Sequence, residues 1–273
     1  MSTNTVDNLK KVTTTTVAKM KREGEKIAMI TAYDYTMASL VDRAGIDLIL
    51  VGDSAANVMA GYPTTLPITL DQMIYHAQCV VRGTERAMVI VDMPFGTCDG
   101  DELTALRSAV RILKETGAAA VKIEGGKPMR SSIEKIIGAG IPVMGHLGLT
   151  PQSVNQLGGY GLRAKAKEEA DRLIEDALML QEIGCFAIVL EKVPAELARE
   201  VSSRLTIPTI GIGAGAGCDG QVLVLQDMLG MNEGFKPKFL RKYAELAATI
   251  NSAVGQYISD VKDGSFPSEA ESY

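Results

Sequence analysis

Most of the short apolar runs in this 273-residue sequence end at a polar residue of a type that can bind ligands or transfer protons. Each of them lies at or close to the last position of a short run rich in branched aliphatic residues. They are Asp53, Ser54, Asp92, Lys122, Glu124, His146 and Glu191. Carboxylates, a lysine and a histidine bind cations, hold anions and transfer protons. If the runs end at one place, the sequence predicts a single site built from these residues.

The carboxylates indicate a metal site when they are considered together. Converging carboxylates repel one another and require a cation, and oxygen donors without a nearby cysteine favour Mg2+ or a similar hard ion. With two histidines in the chain, a zinc or iron centre of several histidines is excluded. For Asp53 or Asp92 alone, a turn or helix-capping role is the alternative interpretation.

The remaining candidates have roles in proton transfer or binding. Lys122 and Glu124 are two positions apart, so on a strand they point to the same side, as a structural ion pair or as ligand-binding groups. Glu191 follows four apolar residues, an environment in which desolvation can raise the pKa of a carboxylate toward the value that a general base needs. A solvated glutamate at a strand end is the alternative. His146 is expected to support the site through hydrogen bonds, with substrate binding as the alternative, and His76 is expected to be structural.

Strand-like and helix-like segments alternate from residue 27 almost to the end. The strand predictions are 27–32, 46–51, 88–91, 120–123, 141–144, 187–190, 209–212 and 221–224. The principal helix predictions are 37–44, 70–81, 102–115, 165–183 and 195–204. This order predicts an α/β protein, either a (β/α)8 TIM barrel or a doubly wound open sheet.

The barrel is the preferred fold. No GxGxxG motif follows the first strand, and no linker interrupts the pattern near residue 150. Active sites of such barrels lie at the carboxyl ends of the strands, where the candidate residues occur. We expect an N-terminal extension or helix over 1–26, the barrel over 27–264 and a tail over 265–273. The apolar stripe in 237–264 predicts a closing barrel helix, with a coiled coil as the alternative.

Composition narrows the possible partners. The chain has 28 basic and 33 acidic residues, a net charge of -5, which argues against nucleic acid as a partner. No apolar run approaches the ~18 residues of a membrane span, so no membrane is expected. The four cysteines form no CxxC pair, and the N-terminal segment has no apolar stretch typical of a signal peptide. These features predict reduced thiols and a cytoplasmic location.

Several segments in this order resemble the ketopantoate hydroxymethyltransferase family. The segments are VGDS (51–54), TLP (65–67), DMPF (92–95), VKIEGG (121–126), GHLGLTPQS (145–153), LE (190–191) and GIGAG (211–215). The resemblance implies a (β/α)8 barrel related to phosphoenolpyruvate mutase and isocitrate lyase. It also implies a homodecamer, a pentamer of dimers in two rings.

The resemblance implies a one-carbon transfer reaction of pantothenate biosynthesis. A hydroxymethyl group passes from 5,10-methylenetetrahydrofolate to 3-methyl-2-oxobutanoate and gives 2-dehydropantoate. By resemblance, the reaction proceeds through a Mg2+-stabilised enolate, and Glu191 is the base that forms it. Mg2+ is the implied cofactor, and the folate is a co-substrate.

The resemblance also implies roles for five other residues. Asp53 and Asp92 would hold Mg2+, with Glu124 completing the metal site partly through water. Ser54 and Lys122 would bind the substrate carboxylate, with Asp53 and Asp92 within reach of the keto acid.

Two other functions compete with this one. A Mg2+-dependent lyase or mutase of 2-oxo acids on the same barrel would need a reactive cysteine or general acid on a mobile loop, and the four cysteines lie in no such motif. A catalytically silent barrel that serves as a scaffold would be favoured by loss of a strand-end carboxylate. All of these carboxylates are present.

Overall fold

Parallel strands wind into a closed barrel. A computed structural model describes residues 10–98 and 100–273; residues 1–9 of the predicted N-terminal extension and Asp99 lie outside the described residues. Within the described part, eight strands pair in chain order and the first pairs with the last. They are β1 (Ile27–Thr31), β2 (Leu48–Val51), β3 (Met88–Asp92), β4 (Ala120–Glu124), β5 (Val143–Gly148), β6 (Ala187–Glu191), β7 (Thr209–Ile212) and β8 (Gly220–Leu223). The predicted (β/α)8 barrel is confirmed.

The fifth strand differs most from its prediction. It was expected over 141–144 and runs over Val143–Gly148 instead. Ile141 still donates its backbone N–H to Ile136 in the preceding helix, and Pro142 has no N–H to give to a strand ladder. The shift places His146 inside the strand, where it pairs with Glu124 of β4.

Helices connect the strands. They are α1 (Thr14–Glu23), α2 (Tyr35–Arg43), α3 (Ala55–Val58), α4 (Leu70–Arg82), α5 (Glu102–Thr116), α6 (Arg130–Gly138), α7 (Val154–Leu157), α8 (Lys167–Glu182), α9 (Ala195–Arg204), α10 (Leu225–Met228) and α11 (Leu246–Asp263). The five predicted helices between strands correspond to α2, α4, α5, α8 and α9. Helix α6 is hard to recognise in the sequence, because the buried face of its 9 residues consists only of Ser132, Ile133 and Ile136.

Side chains alternate between two apolar layers. Met88 and Ile90 lie in the inner cluster, whereas Val89 and Val91 pack in the outer cluster with the helices. The inner cluster also holds Leu48, Leu50, Ala120, Met144, Ala187, Val189 and Ile210, and it is joined by Val17 and Met20 of α1. This period of two fixes which strand residues face the barrel interior.

The chain divides into two compact units, Met1–Val224 and Leu225–Tyr273. The first contains the barrel strands. The second contains α10, α11 and a final turn of 3-10 helix over Glu269–Glu271. The predicted boundaries of the barrel at 27 and 264 remain a prediction. Across the residues that the structure describes, no helix is both long and apolar enough to cross a membrane.

Candidate active site

Strand alternation brings polar side chains together at the carboxyl end of the barrel. Asp92, Glu124 and Glu191 are the last residues of β3, β4 and β6. Each lies two positions beyond an inward-facing residue, so each continues the inner face of its strand. Lys122 and His146 lie on the inner faces of β4 and β5, and both are buried. The predicted convergence of these residues is therefore present in the structure.

Asp53 joins the group through a turn. β2 ends at Val51, and the backbone then folds back through Gly52, with Ala55 donating to the Gly52 carbonyl. A Cβ on Gly52 would lie 2.8 Å from Ser54 Oγ, so a larger residue at this position would have to displace the Ser54 hydroxyl. The backbone N–H of Asp53 donates to Asp92 Oδ2 at 3.0 Å. This bond connects the first two candidate metal ligands directly.

The buried carboxylates have perturbed proton affinities. Burial raises the pKa of Asp53 to about 6, and the charge of Glu124 acts in the same direction, although Lys122 and a hydrogen bond from Gln152 oppose it. Burial also raises the pKa of Asp92, against the opposing charge of Lys122. Three carboxylates with one lysine leave two negative charges in excess when all are ionised. The group therefore has the electrostatics of a cation site.

Lys122 is an ammonium held between acceptors. Its Nζ lies 3.0 Å from Asp92 Oδ1 and 3.0 Å from His146 Nδ1, and both side chains of the ion pair are almost fully buried. Burial alone would lower the pKa of Lys122, but the charges of Asp92, Glu124 and Asp53 raise it overall. Lys122 is thus charged at neutral pH.

The contact with Lys122 fixes the tautomer of His146. Burial and the charge of Lys122 lower the pKa of His146, so the ring is neutral at neutral pH. An ammonium has only N–H groups to offer, so His146 Nδ1 accepts and the ring proton lies on Nε2. Nε2 lies 3.4 Å from Glu191 Oε2, in a contact that does not have the geometry of a hydrogen bond in this structure. With a neutral ring, this contact is not an ion pair either.

Glu191 is the most open of these acidic residues, with 17% of its side chain exposed. Its carbonyl accepts from the backbone N–H of Leu149 at 2.8 Å, which ties β6 to the chain after β5. A Cβ on Gly148, where φ is +93°, would overlap this carbonyl oxygen. The next residue, Lys192, has a left-handed φ of 45°, and its Nζ donates to the carbonyl of Tyr160. Glu191 thus belongs to a closely packed segment whose carboxylate remains accessible.

Ser54 is held by a tyrosine that the sequence did not single out. Tyr33 OH and Ser54 Oγ lie 2.8 Å apart, and Tyr33 is fully buried, which raises its pKa despite the bond to Ser54. His76 Nδ1 donates to the Tyr33 carbonyl at 2.8 Å, in agreement with the structural role expected for His76. A buried tyrosine in an apolar run carries no distinctive sequence signal, because it resembles any core aromatic residue.

A second unexpected residue contacts the acidic group. Gln152 Nε2 donates to Asp53 Oδ2 at 2.9 Å and to the carbonyl of Met93 at 3.0 Å, and its backbone N–H donates to Glu124 Oε2 at 3.0 Å. Gln152 lies within a segment that carries the family resemblance, but a neutral amide in a turn does not indicate a site by itself.

Among the residues described, no three His, Cys, Asp or Glu side chains form a preformed metal-binding cluster.

Comparisons with known proteins agree on one family. A model of the family described as ketopantoate hydroxymethyltransferase matches residues 11–269. The chain is 62% identical to a protein of Parabacteroides distasonis named 3-methyl-2-oxobutanoate hydroxymethyltransferase, over 273 residues and all of both chains. A protein of the same name from Salinibacter ruber is 63% identical over 263 residues, covering 96% of this chain and 99% of that one.

Solved structures show the same fold at low sequence identity. A phosphonopyruvate hydrolase in complex with oxalate and Mg2+ matches with a TM-score of 0.61 and 12% identity, covering 95% of this chain and 93% of that one. A 2,3-dimethylmalate lyase of the PEP mutase/isocitrate lyase superfamily matches with a TM-score of 0.58 and 16% identity, covering 95% and 91%. The fold resemblance to this superfamily is thereby confirmed.

Proposed function

Because the chain belongs to the ketopantoate hydroxymethyltransferase family, we propose that it transfers a hydroxymethyl group from 5,10-methylenetetrahydrofolate to 3-methyl-2-oxobutanoate, forming 2-dehydropantoate. The observation that carries the proposal is the continuous series of contacts from Asp92 through Lys122 and His146 to Glu191. In this arrangement Lys122 would bind the substrate carboxylate close to Glu191 as the base, as the deprotonation of a 2-oxo acid requires.

The donor set fits Mg2+. This ion is held by one or two carboxylates together with water and substrate oxygens, so a protein cage is not required. Asp53 and Asp92 would hold it directly, and Glu124 partly through water. Their excess negative charge and the bond from Asp53 N to Asp92 support this assignment. When bound, Mg2+ would polarise the substrate ketone and acidify the proton on C3.

Lys122 and Ser54 would bind the substrate carboxylate. An ammonium has three N–H groups, and Asp92 and His146 accept two of those of Lys122. The third is available for a carboxylate oxygen of the substrate. Ser54 Oγ, held by Tyr33, would donate to the same carboxylate. Asp53 and Asp92, which a hydrogen bond joins, would also contact the keto acid.

Glu191 would remove the C3 proton. His146 Nε2, which lies 3.4 Å from one carboxylate oxygen, would donate to it and leave the other oxygen for the reacting proton. Deprotonated C3 would then attack the methylene carbon of the folate, and one of the two bonds from that carbon to nitrogen would break as the carbon–carbon bond forms. Water would then displace the second nitrogen, supplying the hydroxyl group of the product and releasing tetrahydrofolate. The partial exposure of Glu191 supports this role, because substrate must reach the base whereas Asp53 and Asp92 remain buried.

The test is exchange of the C3 proton of 3-methyl-2-oxobutanoate in D2O, followed by NMR with and without Mg2+. We expect Mg2+-dependent exchange in the wild type and its loss in Glu191→Gln. Glu196→Gln, an exposed glutamate on α9, is the matched control and should exchange normally. No exchange in the wild type with Mg2+ and tetrahydrofolate present would eliminate Glu191 as the base and favour the lyase or scaffold alternative.

We infer in addition that the protein assembles as a homodecamer, a pentamer of dimers. An apolar stripe on α11 supports association, since Ile250, Val254, Tyr257 and Val261 are each roughly half exposed. Light scattering should give a mass near 291 kDa, ten times the 29.1 kDa chain. A mass of one or two chains would contradict the decamer. The cytoplasmic location stays a prediction from the sequence.

A further inference from the structure

Gln152 is a neutral side chain that joins three strand ends of the site. It lies in a 3-10 helix, Pro151–Ser153, directly after β5. Its backbone N–H contacts Glu124 at the end of β4, and its side chain contacts Asp53 after β2 and the Met93 carbonyl after β3. One residue therefore connects two of the three buried carboxylates.

The local backbone explains how Gln152 reaches this position. Gly148 adopts a φ of +93°, which turns the chain sharply at the end of β5. Pro151 begins the 3-10 helix, and its ring fixes the backbone at that point. The first N–H groups of a helix have no acceptor within it, so the Gln152 N–H is available for the carboxylate of Glu124.

A carboxamide suits this position better than other side chains. Its nitrogen carries two hydrogens, and the two acceptors here use both. Rotating the amide by half a turn would place its oxygen against a carboxylate and a carbonyl, so the observed orientation is the favourable one. A lysine would neutralise the acidic group and compete with a cation. An amide holds the carboxylates and leaves their charge intact.

Charge explains why such restraint is needed. Asp53, Asp92 and Glu124 outnumber Lys122, and buried like charges move apart unless other bonds hold them. Gln152 binds Asp53 and Glu124 through one oxygen each. We propose that Gln152 is a positioning residue that holds Asp53 and Glu124 in place for the divalent cation, an inference that rests on the Mg2+ site of the proposed function.

The test is Mn2+ binding to the full-length protein, measured by electron paramagnetic resonance on wild type, Gln152→Met and Gln156→Met. Methionine preserves the length of the side chain and removes its N–H groups. Gln156 is exposed on α7, so its substitution is the matched control. We expect a Kd about 10- to 100-fold higher in Gln152→Met, as for other residues that orient metal ligands, and a wild-type Kd in the control.

Two further measurements separate positioning from folding. The thermal midpoint without metal should be close to that of the wild type in Gln152→Met. If this variant does not fold, Gln152→Asn retains the amide but is one methylene too short to reach Asp53, and it should show the same weaker Mn2+ binding. At saturating Mn2+, C3 exchange should return toward the wild-type rate, because the loss lies in metal affinity.

The possible failures are distinguishable. Wild-type or tighter Mn2+ binding in a folded Gln152 variant would overturn the positioning role and leave the proposed function intact. If the wild type itself fails to bind Mn2+ at millimolar concentration, the metal site of the proposed function is wrong, and the role of Gln152 is wrong with it.

Discussion

Replacing His146 tests whether a hydrogen bond orients the base. In His146→Asn, the amide oxygen occupies the position of Nδ1, so the acceptor for Lys122 is retained. The shorter side chain has no atom at the position of Nε2 and cannot donate to Glu191. The substitution thus removes one bond of the series and preserves the other.

The expected loss follows from the geometry. A hydrogen bond to a charged group contributes about 1.5 to 3 kcal/mol, and Nε2 and Oε2 are 3.4 Å apart in the free site, so we take the lower value, about 1.5 kcal/mol. Because a bond lowers the barrier only by what it gains in the transition state, we assign this value to the bond formed there, and its loss slows C3 exchange about tenfold. The KM for the keto acid should change little, because Lys122 retains its partners.

The assay is C3 proton exchange in D2O at saturating Mg2+, with His146→Gln as the companion variant. The Gln amide nitrogen reaches the position of Nε2, so this variant should recover part of the lost rate. Wild-type exchange in His146→Asn would refute the positioning of Glu191 by His146. If both variants are folded and exchange equally slowly, the missing N–H donor at the position of Nε2 is not the cause of the slower exchange.

Three further predictions concern the same end of the barrel. In Tyr33→Phe, Ser54 loses its partner, so the KM for the keto acid should rise about fivefold while kcat changes less, which steady-state kinetics will measure. Because the pKa of Asp53 is raised to about 6, its carboxyl group must lose a proton before the metal binds. Mn2+ affinity should therefore fall about tenfold per pH unit below pH 6 and become constant above it. An affinity that does not change from pH 5 to 7 would contradict this. In Gly148→Ala, a Cβ would overlap the Glu191 carbonyl at a left-handed φ, so the thermal midpoint should drop by several degrees, with exposed Gly161→Ala as the control.

The residues at strand ends were predictable because the period of two is local. Once β3, β4 and β6 are recognised, Asp92, Glu124 and Glu191 must continue their inner faces, and the barrel then places them at one end. The start of β5 was misjudged, since 141–144 is as apolar as a strand requires. The backbone bond of Ile141 to the preceding helix decides the register there, and no apolar pattern reveals it.

The supporting residues could not be derived in the same way. Gln152 and Tyr33 contact residues that are far from them in the sequence. Glutamine is common in turns and tyrosine is common in cores, so neither residue type indicates a site. Asp53 is intermediate, since it lies beyond the last strand residue and reaches the group through the turn at Gly52. Alternation alone would have pointed its side chain toward the helices. Its position just beyond the end of an apolar run made Asp53 a candidate, and the turn at Gly52, which the sequence pattern does not show, brings its side chain into the group.

The shared inner face of the strands also bears on how this protein can evolve. Directly beneath Asp92, Lys122, His146 and Glu191 along their strands lie Ile90, Ala120, Met144 and Val189. A single-residue insertion or deletion within one of these strands would exchange its inward-facing and outward-facing positions, whereas one in a connecting loop would not. New side-chain chemistry can therefore arise in this barrel by substitution or by a change in loop length. A change in the length of a strand would instead turn its polar end residues away from the site.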